Sequence, residues 1–174
     1  VLILIGGILS RWISFSETSW LLLFAAGAIA HGVRLLFWRP FSSRGNPLLW
    51  MLPVAYAWLP IALGLRALGP LAVVFPGAAV HALTVGAIGS LMVAMMMRRA
   101  LGHSGRPLVA GTAEVSVFVL LQLAAIVRVF VSWAAPQFYR ETMITAGLLW
   151  TLAFGVFLFR YWAILTRPRI DGRP

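Results

Sequence analysis

Three histidines are the residues of this sequence whose type best suits metal or haem chemistry. His31 and His81 stand inside long apolar runs, and His103 stands in an arginine-rich stretch. A polar residue inside a membrane is costly and often functional, and neutral imidazole is a common ligand of haem iron and copper. The ordinary alternative is a neutral histidine that donates to a carbonyl one turn away or, for His103, a solvated loop residue.

Arg128 is a further candidate, because it lies within the fifth apolar run. Its guanidinium could pair with an acidic group of a cofactor, such as a haem propionate. It could equally extend outward to lipid phosphate. Glu114 lies in the same run and is expected to pair with Arg98 or Arg99, near the other end of the helix.

The other residue types restrict the chemistry. Cysteine is absent, which excludes disulfides and thiolate metal sites, and four acidic residues argue against catalysis by a carboxylate pair. No phosphate-binding glycine loop or HExxH zinc pair occurs. Any chemistry is therefore expected to belong to a bound cofactor. Thioether sulfur suits Cu(I), but packing is the favoured interpretation for a methionine cluster in the fourth run: Met92, Met95, Met96 and Met97.

The elements that position these residues are membrane spans. Hydrophobic residues make up 61% of the 174 residues, charged residues only 10%, and the mean hydropathy is +0.95. A soluble domain needs roughly a quarter of its residues charged, and disorder goes with low hydrophobicity. Apolar runs recur along the whole chain, which one signal peptide cannot explain. The composition predicts an all-α, polytopic transmembrane helical bundle over residues 1–165, followed by a polar tail at 166–174.

Apolar runs of about 20 residues, enough to cross a bilayer core of about 30 Å, predict five complete spans and the end of a sixth. The first run, 1–9, is interpreted as the tail of a helix whose start is missing, so that the bundle is a fragment of a larger membrane domain. The complete spans are predicted at 18–38, 47–68, 73–97, 112–134 and 142–165, with a loop at 98–107. Small residues at every fourth position of the fourth span predict close packing and a central place for that helix: Ala78, Ala82, Gly86, Ser90 and Ala94.

Arginine sets the expected orientation. All fourteen basic residues are arginine, the net charge is +10, and arginine-rich loops alternate with arginine-poor loops. The positive-inside rule places the arginine-rich loops and the C-terminal tail in the cytoplasm. Tryptophans and tyrosines near the span ends are typical of an aromatic belt rather than a base-stacking platform, so nucleic acid is not an expected partner.

Depth separates the candidate residues. At 1.5 Å per residue, His81 and Arg128 are predicted about 12 Å and about 9 Å below the outer ends of their helices. His31 is predicted about 10 Å from the cytoplasmic end of its helix. We therefore do not expect His31 and His81 to bind one iron between them.

The run His81-Ala82-Leu83-Thr84-Val85-Gly86-Ala87-Ile88-Gly89 resembles the signature of the NnrS family. The resemblance continues through Met96, Arg98 and residues 101–108, and it includes 46–50, 56–60 and 167–174. It implies the C-terminal part of a multi-pass protein of the bacterial inner membrane that holds haem and copper. Such a protein is associated with denitrification and resistance to nitric oxide stress. The implied partners are the lipid bilayer, the missing N-terminal helices and a small ligand such as nitric oxide.

The resemblance favours His81 and His103 as metal or haem ligands and supports His31 less strongly. Arg128 stays a further cofactor-binding candidate because of its place within a span. The sequence departs from the family pattern at three positions. Ser90 and Ser104 stand where threonine is usual, and Pro53 stands where a histidine is expected.

Two functions of other classes stay open at this point. One is a transporter or channel half in which His81 and Arg128 line a polar pathway. The other is a cofactor-free scaffold for the missing helices. A visible absorption band would separate the cofactor hypothesis from both. Whether a cofactor-loaded protein is an enzyme, a sensor or a carrier cannot be read from the residues.

Overall fold

A computed structural model of the chain describes residues 16–43, 45–71 and 77–170, and these residues form an all-α bundle without a β-strand. Five helices are long and apolar enough to span a membrane: α1 (Glu17–Phe37), α2 (Pro47–Ala67), α3 (Ala78–His103), α4 (Thr112–Ala134) and α5 (Tyr139–Leu165). The predicted polytopic fold is confirmed. The partial segment predicted at 1–9 lies outside the described residues.

Successive helices run in opposite directions, so the bundle has two distinct ends. We call the end where α1, α3 and α5 finish the Arg-rich end, because it carries Arg98, Arg99, Arg106 and Arg167. The other end, where α2 and α4 finish, is the Arg-poor end. Just beyond α5, the tail packs back on the α3–α4 loop, where the Ile170 N–H donates to the Ser104 carbonyl at 3.3 Å.

The bounds of α3 differ from the prediction at both ends. The helix begins at Ala78, so His81 lies about 4.5 Å along the axis from the helix start, not about 12 Å. The helix also continues through the predicted loop to His103. Arg98 and Arg99 do not end the helix, because arginine is a good helix former and Leu101, which follows them, is still buried in the bundle. It ends where Gly105 adopts a φ of 70°.

α3 is the central helix, as predicted. It packs between α2 and α4 and also contacts α5. All five small residues of its stripe are buried. At Gly86 the indole of Trp58 on α2 lies so close that an added Cβ would stand 2.4 Å from the ring. At Gly86, α2 can pack this closely against α3 only because the residue has no side chain.

Two stretches of the bundle are wound as π-helix, Ala82–Gly89 in α3 and Val127–Val131 in α4. π-Helical turns are rare and occur frequently at functional sites. The first stretch directly follows His81, and the second contains Arg128. The hydropathy pattern gave no indication of either, because a π-turn changes the backbone without changing which residues are apolar.

Buried side chains hold the helices in two main clusters. Near the Arg-rich end, Met97 of α3, Phe118 of α4 and Tyr161 of α5 belong to one cluster. Towards the Arg-poor end, Trp58 packs with small residues of α3 and with Val129 of α4. α1 lies apart from both, since it packs mainly on α2 and buries only Phe24.

Replacing Gly86 by alanine is expected to destabilise the bundle by about 1–3 kcal/mol, because the new methyl group overlaps the Trp58 ring. The matched control is Gly155→Ala on α5, where an added Cβ meets nothing within 4 Å. Thermal unfolding of both variants in detergent measures the difference. Equal melting temperatures for the two variants would contradict the close packing of α2 on α3.

Candidate cofactor site

At the Arg-poor end, His81 of α3 and Arg128 of α4 meet. Nη2 of Arg128 lies 2.8 Å from Nε2 of His81. A guanidinium has only donors, so Nε2 of the imidazole accepts and the ring carries its proton on Nδ1. The prediction that these two residues share one level of the bundle is confirmed by this contact.

Met143 of α5 completes the group. Nη1 of Arg128 contacts the Met143 sulfur, and the guanidinium carbon lies 5.6 Å from the centre of the Tyr139 ring. An imidazole nitrogen and a thioether sulfur therefore lie on either side of one guanidinium. Both atoms are lone-pair donors to iron or copper.

Met143 was not predicted as a site residue, although its depth in α5 could have indicated it. Met143 lies about 6 Å into α5 from Tyr139, and Arg128 lies about 9 Å from the end of α4. Both residues are therefore near the same membrane boundary.

The group lines a partly open groove of about 260 Å³ between α3, α4 and α5. The remaining lining residues are apolar or small: Val85, Ala124, Ala146, Gly147 and Trp150. Among the described residues, no carboxylate forms an ion pair with Arg128. A half-buried cation with only neutral partners favours an anionic group in the groove.

A polar network lies next to the groove, towards the middle of the bundle. The Trp58 indole N–H donates to Gln122 Oε1 at 2.7 Å, and Gln122 Nε2 donates to Ser90 Oγ at 2.7 Å. Inside a bilayer these groups have no water to bond to, so they must bond to one another. The network fixes Trp58 against Gly86 and so holds the π-helical stretch that follows His81. Ser90 supplies the hydroxyl that this network uses.

His31 lies in a different part of the bundle. Its Nδ1 lies 2.6 Å from the Tyr56 hydroxyl, and the Tyr56 ring packs on Trp38 with centroids 4.6 Å apart. His31 and His81 thus have separate partners, in agreement with the depth argument.

Pro53 lies inside α2 and offers no donor atom, so the position where a histidine was expected supplies no ligand in this chain.

His103 is exposed at the Arg-rich end, roughly 30 Å from His81 along α3. Arg98 and Arg99 line the same groove as His103, and two neighbouring guanidinium groups disfavour a metal cation there. The structure therefore brings His81 together with Arg128 and leaves the other two histidines apart. No group of three histidines or acidic residues that could hold a metal occurs within the described ranges.

The methionine cluster of α3 divides between two environments. Met97 is fully buried in the core, which confirms the packing interpretation for this residue. Met92, Met95 and Met96 are exposed on the outside of the bundle, so the packing interpretation is wrong for these three residues.

The predicted pairing of Glu114 with Arg98 or Arg99 is wrong. Glu114 is buried, and its Oε1 accepts from Arg160 Nε at 3.1 Å and from the Tyr161 hydroxyl at 3.3 Å. Both partners belong to α5, because α4 packs along α5 over most of its length. The arginines at the end of α3 are left without this carboxylate.

Comparison with known proteins adds a family to this geometry. A family model described as NnrS protein matches residues 1–169. No curated protein and no solved structure matches the chain. The matched range includes the five helices and all residues of the groove.

Replacing Glu114 by alanine is expected to lower stability by about 2 kcal/mol, because the buried Tyr161 hydroxyl and the Gly111 N–H both lose their acceptor. Glu141→Ala, which removes an exposed acid of α5, is the matched control and should change little. Thermal unfolding in detergent compares the two. A Glu114 variant as stable as the Glu141 variant would show that the buried carboxylate does not tie α4 to α5.

Proposed function

Because the chain belongs to the NnrS family, we propose that it is a haem- and copper-containing membrane protein associated with denitrification and resistance to nitric oxide stress. The observation that carries the proposal is the Arg128 guanidinium between the His81 nitrogen and the Met143 sulfur, in an apolar groove. The same groove offers metal donors and a cation for an acidic group, which is the combination that a haem requires.

The residues of the groove fit a haem or copper centre by their chemistry. His81 and Met143 would hold the metal, since imidazole and thioether are established ligands of haem iron and of copper. Arg128 would pair with an acidic group of the cofactor, and Trp150 offers a flat apolar wall. Bound metal would supply an open coordination position for nitric oxide. Of the other imidazoles, His31 is the better candidate for a second metal, because arginines flank His103.

Arg128 has two alternative partners in this proposal. With the groove empty of acid, its Nη2 donates to His81 and holds the imidazole as the Nδ1–H tautomer. An acidic group in the groove attracts the guanidinium more strongly, because an ion pair in apolar surroundings is stronger than a hydrogen bond to a neutral ring. Movement of Arg128 towards that group exposes Nε2 of His81. Anion binding and ligand exposure are thereby coupled through one side chain.

The visible absorption spectrum of the purified protein, oxidised and reduced, tests the proposal together with metal analysis. A Soret band with bound copper supports it. A colourless, metal-free protein from haem-sufficient cells would overturn it. Substrate flux through such a protein in vesicles would then favour a transporter or channel lined by His81 and Arg128, and absence of flux would favour a scaffold.

His81→Ala is expected to lower the cofactor content at least about tenfold, and His31→Ala is expected to lower it less. Met143→Leu keeps the side-chain volume and removes the sulfur, so it should also lower metal content. Met92→Leu, on an exposed methionine, is its matched control. Absorbance and metal per mole of folded protein measure each variant. Equal haem and copper in the His81 variant and the parent would remove the assignment.

We also propose that the protein lies in the bacterial inner membrane with its C-terminus in the cytoplasm, because of its arginine distribution. The chain has no cysteine, so single reporters are unambiguous. Gln137→Cys, in the turn between α4 and α5, is expected to react with a membrane-impermeant maleimide in intact spheroplasts. Thr166→Cys, just after α5, is expected to react only after lysis. The reverse labelling pattern would contradict this orientation.

A further inference from the structure

α3 is longer than a bilayer core requires. It has 26 residues and is therefore about 39 Å long, whereas the hydrocarbon core is about 30 Å thick. A helix that enters the core at Ala78 leaves it near Met97. The last turns, Arg98 to His103, then lie in the headgroup layer of the Arg-rich side.

These last turns and the following loop enclose a groove of about 350 Å³, which we call the α3-end groove. It is lined by Met95, Arg98, Arg99, Gly102, His103 and Leu108. Arg98 and Arg99 are basic, and the imidazole of His103 can donate a hydrogen bond. No acidic side chain lines the groove. Met95 and Leu108 are exposed and provide an apolar rim.

Among the residues that the structure describes, no carboxylate pairs with the arginines of the α3-end groove. Arg98 makes only a long hydrogen bond, 3.4 Å, to the Leu48 carbonyl, and Arg99 forms no hydrogen bond or ion pair with the residues that the structure describes. Glu114, a described acid at this end of the bundle, forms its ion pair with Arg160 instead. In the adjacent loop, Arg106 has a buried nitrogen without a hydrogen-bond partner. The positive charge of this groove therefore favours binding of an anion that does not belong to the described residues.

We propose that the α3-end groove binds the phosphate headgroup of an anionic phospholipid. The guanidinium groups of Arg98 and Arg99 bind the phosphate, an imidazole N–H of His103 donates to it, and Met95 and Leu108 contact the acyl chains. Basic pockets at the ends of transmembrane helices bind such headgroups on the cytoplasmic side of membranes. This role uses His103 as a hydrogen-bond donor and is independent of the cofactor groove at the other end of α3.

Thermal unfolding in detergent tests the proposal, with added phosphatidylglycerol compared with phosphatidylcholine of the same acyl chains. We expect phosphatidylglycerol to stabilise the parent at lower concentration. Arg99→Gln is expected to reduce this preference about fivefold, and Arg98→Gln together with Arg99→Gln to reduce it further. The control is Arg34→Gln at the same end of the bundle, which removes one charge outside the groove and should keep the preference.

A second variant separates the groove from its charge. Gly102→Leu fills the floor of the groove and keeps every arginine, and a Cβ there meets only Leu108, at 3.9 Å. It should fold and lose the phosphatidylglycerol preference. A preference retained in both the arginine variants and Gly102→Leu would overturn the proposal. Equal stabilisation by inorganic phosphate would overturn the assignment to a lipid headgroup.

Discussion

The hydrocarbon interior of a bilayer offers no hydrogen-bond partner, and this constraint shapes the polar contacts between the spanning helices. Gln122 is satisfied on one side by Trp58 and on the other by Ser90. Glu114 is satisfied by the Gly111 N–H, just before α4, and by Arg160 of α5. Arg128 differs from both, because its partners are a neutral ring, a sulfur and an aromatic face.

The helix packing explains how Arg128 comes to lie beside His81. Gly86 lets Trp58 press α2 against α3, and the Gln122 amide joins both helices to α4. The π-helical stretch of α3 directly follows His81 and includes Gly86, and that of α4 contains Arg128. The packing at Gly86 and the Gln122 hydrogen bonds thus join α2, α3 and α4, and His81 and Arg128 lie on two of these helices.

Much of the fold could be predicted from the sequence, because apolar run length and turn residues are local properties. The spans followed from them, and the central place of α3 followed from its small residues at every fourth position. The predicted end of α3 was wrong because arginine marks a membrane boundary without ending a helix. The inner face of α3 stays packed as far as Leu101. The partner of Glu114 was wrong because the choice between α3 and α5 depends on helix pairing, which no single helix encodes.

The candidate site was predictable only in part. His81 and Arg128 were found because a histidine and an arginine are rare inside spans, and depth placed them together. Met143 and Gln122 were missed because methionine is common in membrane cores and an uncharged amide gives little contrast in hydropathy. The separation of His103 from the cofactor groove follows from helix length alone, and the same length places it in the headgroup layer.

Imidazole rescue of a His81→Gly variant tests the central claim most directly. The account predicts that this variant, purified as a folded protein, has lost cofactor absorbance and bound metal, and that added imidazole restores both by filling the space of the missing ring. His31→Gly should keep the cofactor at His81 without imidazole. A His81→Gly variant with the full absorbance and metal content of the parent, and no response to imidazole, would contradict the account.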